Sequence, residues 1–268
     1  MSDRPGRFVW YELMTTDPDG AAAFYGRVVG WKIVGEPDPA ADGLDYRHIL
    51  RTDGDVNGGV LALTSEMQAG GARPCWLGYL SVADVDAAVA AIVADGGSAL
   101  MPAFDLDVGR IALVADPQGI PTYVMKPIAP PGREDASSDV FDPVKIQRFA
   151  WNELVTPDVS AAKSFYARHF GFTFERSRSP GASDGDASIA HDGLTIGALT
   201  QPSPDRPAGT WNLFIRVADL DAARTAIESS GGRVTKGPTD VPGGDRILQG
   251  VDPQGAAFSF VARAEGRK

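Results

Sequence analysis

Apolar and polar positions alternate from Val9 to Leu13, and a period of two predicts a β-strand there. Asp17 follows as an N-cap and Pro18 suits a first helical position. Phe24, Tyr25, Val28 and Val29 then form an apolar stripe at helical spacing, which Gly30 stops. Residues 44–51 and 56–63 read as short strands about an Asp53-Gly54 turn. The same order then recurs. Trp76 to Val82 is a strand, Asp84 caps a helix through Val89 and Ile92 to Gly96-Gly97, and strands follow near 98–101, 109–115 and 121–126. The first half of the chain is therefore two modules, each a strand, a helix and further strands.

The second half repeats the first. Phe8-Val-Trp-Tyr-Glu-Leu13, with Asp17, Phe24-Tyr25 and Gly30, matches Phe149-Ala-Trp-Asn-Glu-Leu154, with Asp158, Phe165-Tyr166 and Gly171. Val82-Ala-Asp84 matches Val217-Ala-Asp219, Gly96-Gly97 matches Gly231-Gly232, and Asp116-Pro-Gln-Gly119 matches Asp252-Pro-Gln-Gly255. Self-similarity at this period means duplicated domains. The stretch between the copies is rich in Pro, Ser and charge and reads as an extended surface tether. The expected division is a domain over 7–127, a linker over 128–146 and a second domain over 147–263.

Composition narrows the function classes. A net charge of −10 over 268 residues opposes non-specific binding to nucleic acid or to anionic membrane. No apolar run approaches a membrane span, and residues 1–7 lack the apolar core of a signal peptide, so the cytoplasm is the expected location. The single cysteine, Cys75, excludes an intramolecular disulfide and reads as a buried inert thiol. The expected partner is a small molecule, bound by a monomer or a homodimer.

The order strand–Asp–helix–Phe-Tyr–Gly, then strand–Val-x-Asp-x-Asp–helix–Gly-Gly, then a closing Asp-Pro-x-Gly strand resembles the vicinal oxygen chelate superfamily, which includes glyoxalase I, bleomycin-resistance proteins and extradiol dioxygenases. The Trp-x-Glu-Leu opening is similar to the tandem actinobacterial members of the glyoxalase/bleomycin-resistance/hydroxylase-like antigen type. The resemblance implies an α+β fold: two tandem domains, each a pair of βαβββ modules forming an open, bowl-shaped sheet with helices outside. It also implies metal-ligand positions on three strands of each bowl. Here these fall on Trp10, Leu77 and Tyr123, and on Trp151, Asn212 and Ser259. None is a His or a carboxylate, so no metal and no cofactor is expected from this set. Of the three histidines, His169 reads as a surface or capping residue. His48 and His191 lie on middle strands, and a metal would need a nonstandard set built around one of them.

Alternation along the first strand of each half sends Glu12 inward beside Trp10, and Glu153 inward beside Trp151. Each inward Glu has two readings. It is either a carboxylate braced by Arg110 or Arg246, which occupy equivalent places, or a general base in an aromatic-lined pocket. Trp10 and Trp151 are either core filler or stacking platforms for a flat ligand. Tyr79 and Tyr123 line the first bowl, while Asn212, Phe214, Arg216 and Ser259 line the second, which is more polar. Two functions follow. One is a metal-independent protein that holds an apolar or aromatic metabolite, as resistance proteins sequester drugs. The alternative is a glyoxalase-like lyase, isomerase or hydroxylase that uses Glu12 or Glu153 as base.

Overall fold

The computed structural model describes residues 4–38, 43–129, 132, 137–177, 183–204 and 209–264. Each half builds one open, mixed sheet of eight strands, so the fold is α+β with two tandem domains of the same design. In the first, β1 (Phe8–Thr15), β2 (Lys32–Ile33), β3 (Tyr46–Leu50), β4 (Val56–Ala62), β5 (Cys75–Ser81), β6 (Ser98–Leu106), β7 (Gly109–Ala115) and β8 (Pro121–Pro127) take the order β2-β3-β4-β1-β5-β8-β7-β6. The second repeats it as β10-β11-β12-β9-β13-β16-β15-β14. Its strands are β9 (Phe149–Val155), β10 (Thr173–Arg176), β11 (Ala187–His191), β12 (Leu194–Thr200), β13 (Thr210–Arg216), β14 (Arg233–Val241), β15 (Asp245–Val251) and β16 (Ala257–Arg263). The pairs β1–β4, β5–β8, β9–β12 and β13–β16 are parallel, and the outer pairs are antiparallel hairpins.

Helices α1 (Pro18–Val28), α3 (Val85–Ala94), α4 (Val159–Phe170) and α5 (Leu220–Ser229) follow the four strands that open the modules. Each begins where an aspartate accepts a hydrogen bond from a free first-turn N–H: Asp17 from Gly20, Asp84 from Ala87, Asp158 from Ala161 and Asp219 from Ala222. Two elements go beyond the hydrophobic pattern: the two-residue β2 and the single turn α2 (Ser65–Ala69), which Thr64 caps. Among the described residues, no helix is long and apolar enough to cross a membrane.

The contacts divide the chain into two compact units. Unit 1 comprises Met1–Trp10, Gly78–Phe141 and Trp151–Asn212; unit 2 comprises Tyr11–Leu77, Asp142–Ala150 and Leu213–Lys268. The core of unit 2 is aromatic. Phe149 stacks on Tyr11 at 3.7 Å between ring centroids, with Trp31 and Trp76 at 5.9 and 5.4 Å, and the indole of Trp76 donates to the Tyr25 hydroxyl. In unit 1, Trp211 meets Phe8 and Tyr166 edge-on at 5.6 and 5.5 Å, and Phe170 and Phe172 close the cluster.

In the expected linker over 128–146, some described residues are held and others, such as Ile128, Val144 and Ile146, are exposed. Its residues 130, 131 and 133–136 lie outside the described set. In unit 1, Ser138 donates to the Val9 carbonyl at 2.7 Å and Val140 is buried. In unit 2, the amide of Gln147 accepts from the backbone and hydroxyl of Thr52 and donates to the Val29 and Gly30 carbonyls. Gln147 holds φ at +63°, a left-handed conformation that four side-chain hydrogen bonds stabilise in a residue other than glycine.

Candidate functional site

The helices pack on one face of each sheet, and the opposite, open face carries mostly buried side chains, Glu12, Leu77, Tyr79 and Tyr123 among them. Tyr11 and Trp76 belong to the cluster around Tyr25 of α1, and Arg47 reaches Asp19 at the start of α1. Their sequence neighbours Glu12, Cys75, Leu77 and His48 therefore point to the open face. The same alternation places Trp10, Tyr79 and Tyr123 on the open face in unit 1, where the two tyrosines stack at 4.2 Å.

The two glutamates sit in different chemistry. In unit 1, Glu153 accepts from the Thr200 hydroxyl at 3.3 Å and from the Asn212 amide at 3.0 Å. These two neutral donors help to hold a buried carboxylate. In unit 2, Glu12 is 2% exposed. Gly59 and Cys75 flank it, and Leu61 and Leu77 occupy the places that Thr200 and Asn212 hold in the second half. Burial pushes the Cys75 thiol up to about 11, and the negative charge of Glu12 adds to that shift, so the thiol stays protonated near neutrality.

The expected Glu–Arg brace does not form. Arg110 binds Asp86 of α3 through two nitrogens and also meets Asp105, while Arg246 meets Asp221 of α5 and Asp240. Both arginines fall at strand positions that alternate toward the helices, which removes them from the open face. On the open face of unit 2, Arg216 forms a two-point pair with Asp245. Beside it, Phe214 is in register with Ser259, whose hydroxyl accepts from Gln249.

The histidines do not assemble a metal centre. His169 is a mostly buried partner of Asp95, its Nε2 at 3.0 Å, rather than a surface residue, and that hydrogen bond, together with Arg168, holds the Asp95 carboxyl below the usual range. His191 meets the Pro5 carbonyl at 2.9 Å and the edge of Phe172. His48 lies on the open face of unit 2 with Asp38 at 3.6 Å and the Tyr46 ring edge-on at 6.0 Å. Among the described residues no three His, Cys, Asp or Glu side chains are grouped to hold an ion. The inferred ligand positions fit a metal poorly. Indole and leucine offer no donor atom, and Asn212 and Ser259 offer only weak neutral oxygens, the Ser259 hydroxyl already accepting from Gln249.

Alternation along β1 and β9 finds the two glutamates and the two tryptophans. It does not find Tyr46, Thr200 or the setting of His48, because these depend on cross-strand register. The signal that locates them is the pairing of β3 with β4 and of β12 with β9. A solvent-open cleft of about 420 Å³ between α5 and β14, lined by Arg224, Glu228, Arg233 and Lys236, holds none of the candidate residues.

Comparison with known proteins agrees with this architecture. The chain is 32% identical over 265 residues to "Putative glyoxylase CFP32" of Mycobacterium tuberculosis, covering 97% of this chain and 96% of the relative. It is 30% identical over 282 residues to the anthracycline biosynthesis protein DnrV of Streptomyces peucetius, covering 98% and 95%. In fold it is similar to the Mn(II)-bound glyoxalase of Novosphingobium aromaticivorans, with a TM-score of 0.62, 17% identity and coverage of 99% and 84%. The 2,3-dioxygenase LapB of Pseudomonas sp. KL28 is a comparable match, with a TM-score of 0.60, 14% identity and coverage of 100% and 94%. The family model of the Glyoxalase/Bleomycin resistance protein/Dioxygenase superfamily matches twice, over residues 7–122 and 145–260, and the chain belongs to that superfamily.

Proposed function

We propose that the protein holds a flat, largely apolar aromatic metabolite on the open faces of its sheets and that this binding requires no metal. One observation carries the reading. The strand-1 positions where the family resemblance places a metal ligand carry Trp10 and Trp151, whose indoles point away from the helices and are only partly buried. An indole cannot ligate a cation but stacks well on a planar ring. The stacked Tyr79 and Tyr123 extend the aromatic surface in unit 1. The name of the relative DnrV refers to anthracycline biosynthesis, and the anthracycline nucleus is planar and polycyclic. A single, mostly buried and protonated cysteine fits a reducing cytoplasmic setting.

A fluorescence titration with 1,8-dihydroxyanthraquinone tests this. Trp31, Trp76 and Trp211 are buried, so Trp10 and Trp151 are the indoles that a bound quinone quenches most directly. Saturable quenching is expected, and Trp10→Ala or Trp151→Ala should weaken binding about tenfold, the value of one good aromatic contact. Chelator treatment should leave the affinity unchanged. Affinity that ignores both tryptophans, or that disappears with EDTA, would overturn the reading.

A further inference from the structure

Around Glu12 the first half carries a set of side chains that the second half lacks. Glu12 on β1, Gly59 on β4 and His48 on β3 are consecutive cross-strand neighbours. Register makes all three point to the open face. Gly59 is not needed for its backbone, since its φ is not positive. It is needed for space, because a Cβ at that position would overlap the hydroxyl of Tyr46. The phenol therefore fills the gap between the glutamate and the histidine. The hydroxyl thus sits over Gly59, between the strand position of Glu12 on one side and that of His48 on the other, with the Tyr46 and His48 rings 6.0 Å apart. His48 in turn has Asp38 at 3.6 Å.

In the second half the corresponding residues, fixed by the same register, are Ala198 for Gly59, Ser188 for His48 and Asp186 for Tyr46. The glutamate is thus common to both halves, while the phenol and imidazole beside it occur in one. A fold-level requirement would be met in both copies. Met14, Leu61 and Leu77 share the open face with Glu12 and make the surroundings apolar.

We propose that Glu12, Tyr46 and His48 form a proton-transfer site for an enolisable ketone fused to an aromatic ring, and that the reaction is keto–enol isomerisation. The Glu12 carboxylate removes a proton from the carbon next to the carbonyl. The C–H electron pair becomes the C=C bond, the carbonyl π pair moves to oxygen, and that oxygen takes the proton of the Tyr46 hydroxyl. His48, oriented by Asp38, returns a proton to the Tyr46 oxygen. Water takes the proton from Glu12 and restores the one on His48, so the cycle needs no oxidant or reductant. The inference rests on the binding reading above, because the ketone must first lodge on this open face.

The test follows deuterium incorporation into 2-tetralone in D₂O by NMR, with binding of the same compound read by tryptophan fluorescence. The protein should accelerate exchange, Glu12→Gln should reduce the acceleration about 100-fold, and Tyr46→Phe, which keeps the ring, about tenfold. Gly59→Ala should act like Tyr46→Phe by displacing the phenol. Circular dichroism confirms that each variant is folded. Exchange as fast in Glu12→Gln as in the parent, or exchange lost in Glu153→Gln alone, would overturn the assignment. Binding without exchange would overturn proton transfer and leave the binding reading standing, whereas absence of both would overturn the two together.

Discussion

Replacing Phe149 by Ala should lower the unfolding free energy by about 4 kcal/mol, the range for deleting a fully buried Phe. Phe149 has no exposed surface and touches three aromatic rings, with the Tyr11 ring stacked on it at an interplanar angle of 16°. Ala would leave a cavity that stacked rings close poorly, because aromatic side chains have few alternative rotamers. For a chain of this length each kcal/mol moves Tm by roughly 2–4 °C, so thermal melting followed by circular dichroism should show a fall of about 10 °C. Phe149→Leu keeps most of the volume and should cost about 1.5 kcal/mol. The emission of Trp31 and Trp76 should shift to the red in the Ala variant, as water reaches the vacated space. A loss under 1 kcal/mol would show that the stack is not part of the stabilising core.

Phe149 also marks where the sequence stops being informative. The repeat, the order of elements and the aspartate caps are all legible, because each is a local pattern of period two, period 3.6 or a single capping residue. The partner of a core face is not local. Alternation assigns Phe149 to the same face as Trp151, yet its ring packs with Tyr11, Trp31 and Trp76 in unit 2. The same limit explains the arginines. Arg110 and Arg246 occupy equivalent places, which suggests a shared role, and they have one, on Asp86 and Asp221 at the starts of α3 and α5 rather than on the glutamates. The shared face of Glu12 and Trp10, and of Glu153 and Trp151, is legible because parity within one strand suffices. Tyr46 and Thr200 are missed because they lie on neighbouring strands, and which of their residues stands beside the glutamate is set by cross-strand register rather than by parity within one strand.

Removing the carboxylate of Asp252 should be nearly as costly as removing Phe149, and its effect should depend on pH. Asp252 accepts from the backbone of Gln254 and Ala256 and from the Tyr25 hydroxyl at 3.1 Å. In unit 1, Asp116 does the same for Gln118, Ile120 and Tyr166. Asp252→Ala leaves these buried donors without an acceptor and should cost about 3 kcal/mol, whereas Asp252→Asn keeps an acceptor oxygen and should cost about 1 kcal/mol. Burial raises the Asp252 carboxyl above its ordinary value against the opposing pull of its donors, and burial followed by the Asp252 charge raises Tyr25. The folded protein therefore binds the Asp252 proton more tightly than the unfolded chain does. The stability that this provides is complete below the unfolded pKa, about 4, and is lost as pH rises through the higher folded value. Asn cannot titrate. The stability of the parent relative to Asp252→Asn should accordingly decline from pH 4 toward neutrality, as read by urea unfolding at each pH. Asp45 and Asp95 are lowered and act in the opposite direction, but they are common to both proteins and cancel in the difference. A difference that grows with pH would mean that the ionised carboxylate is better satisfied by Tyr25 and the turn amides than by water, reversing the sign assigned to burial. A constant difference would place the Asp252 pKa at its unfolded value and leave the hydrogen bonds as the whole contribution of the residue.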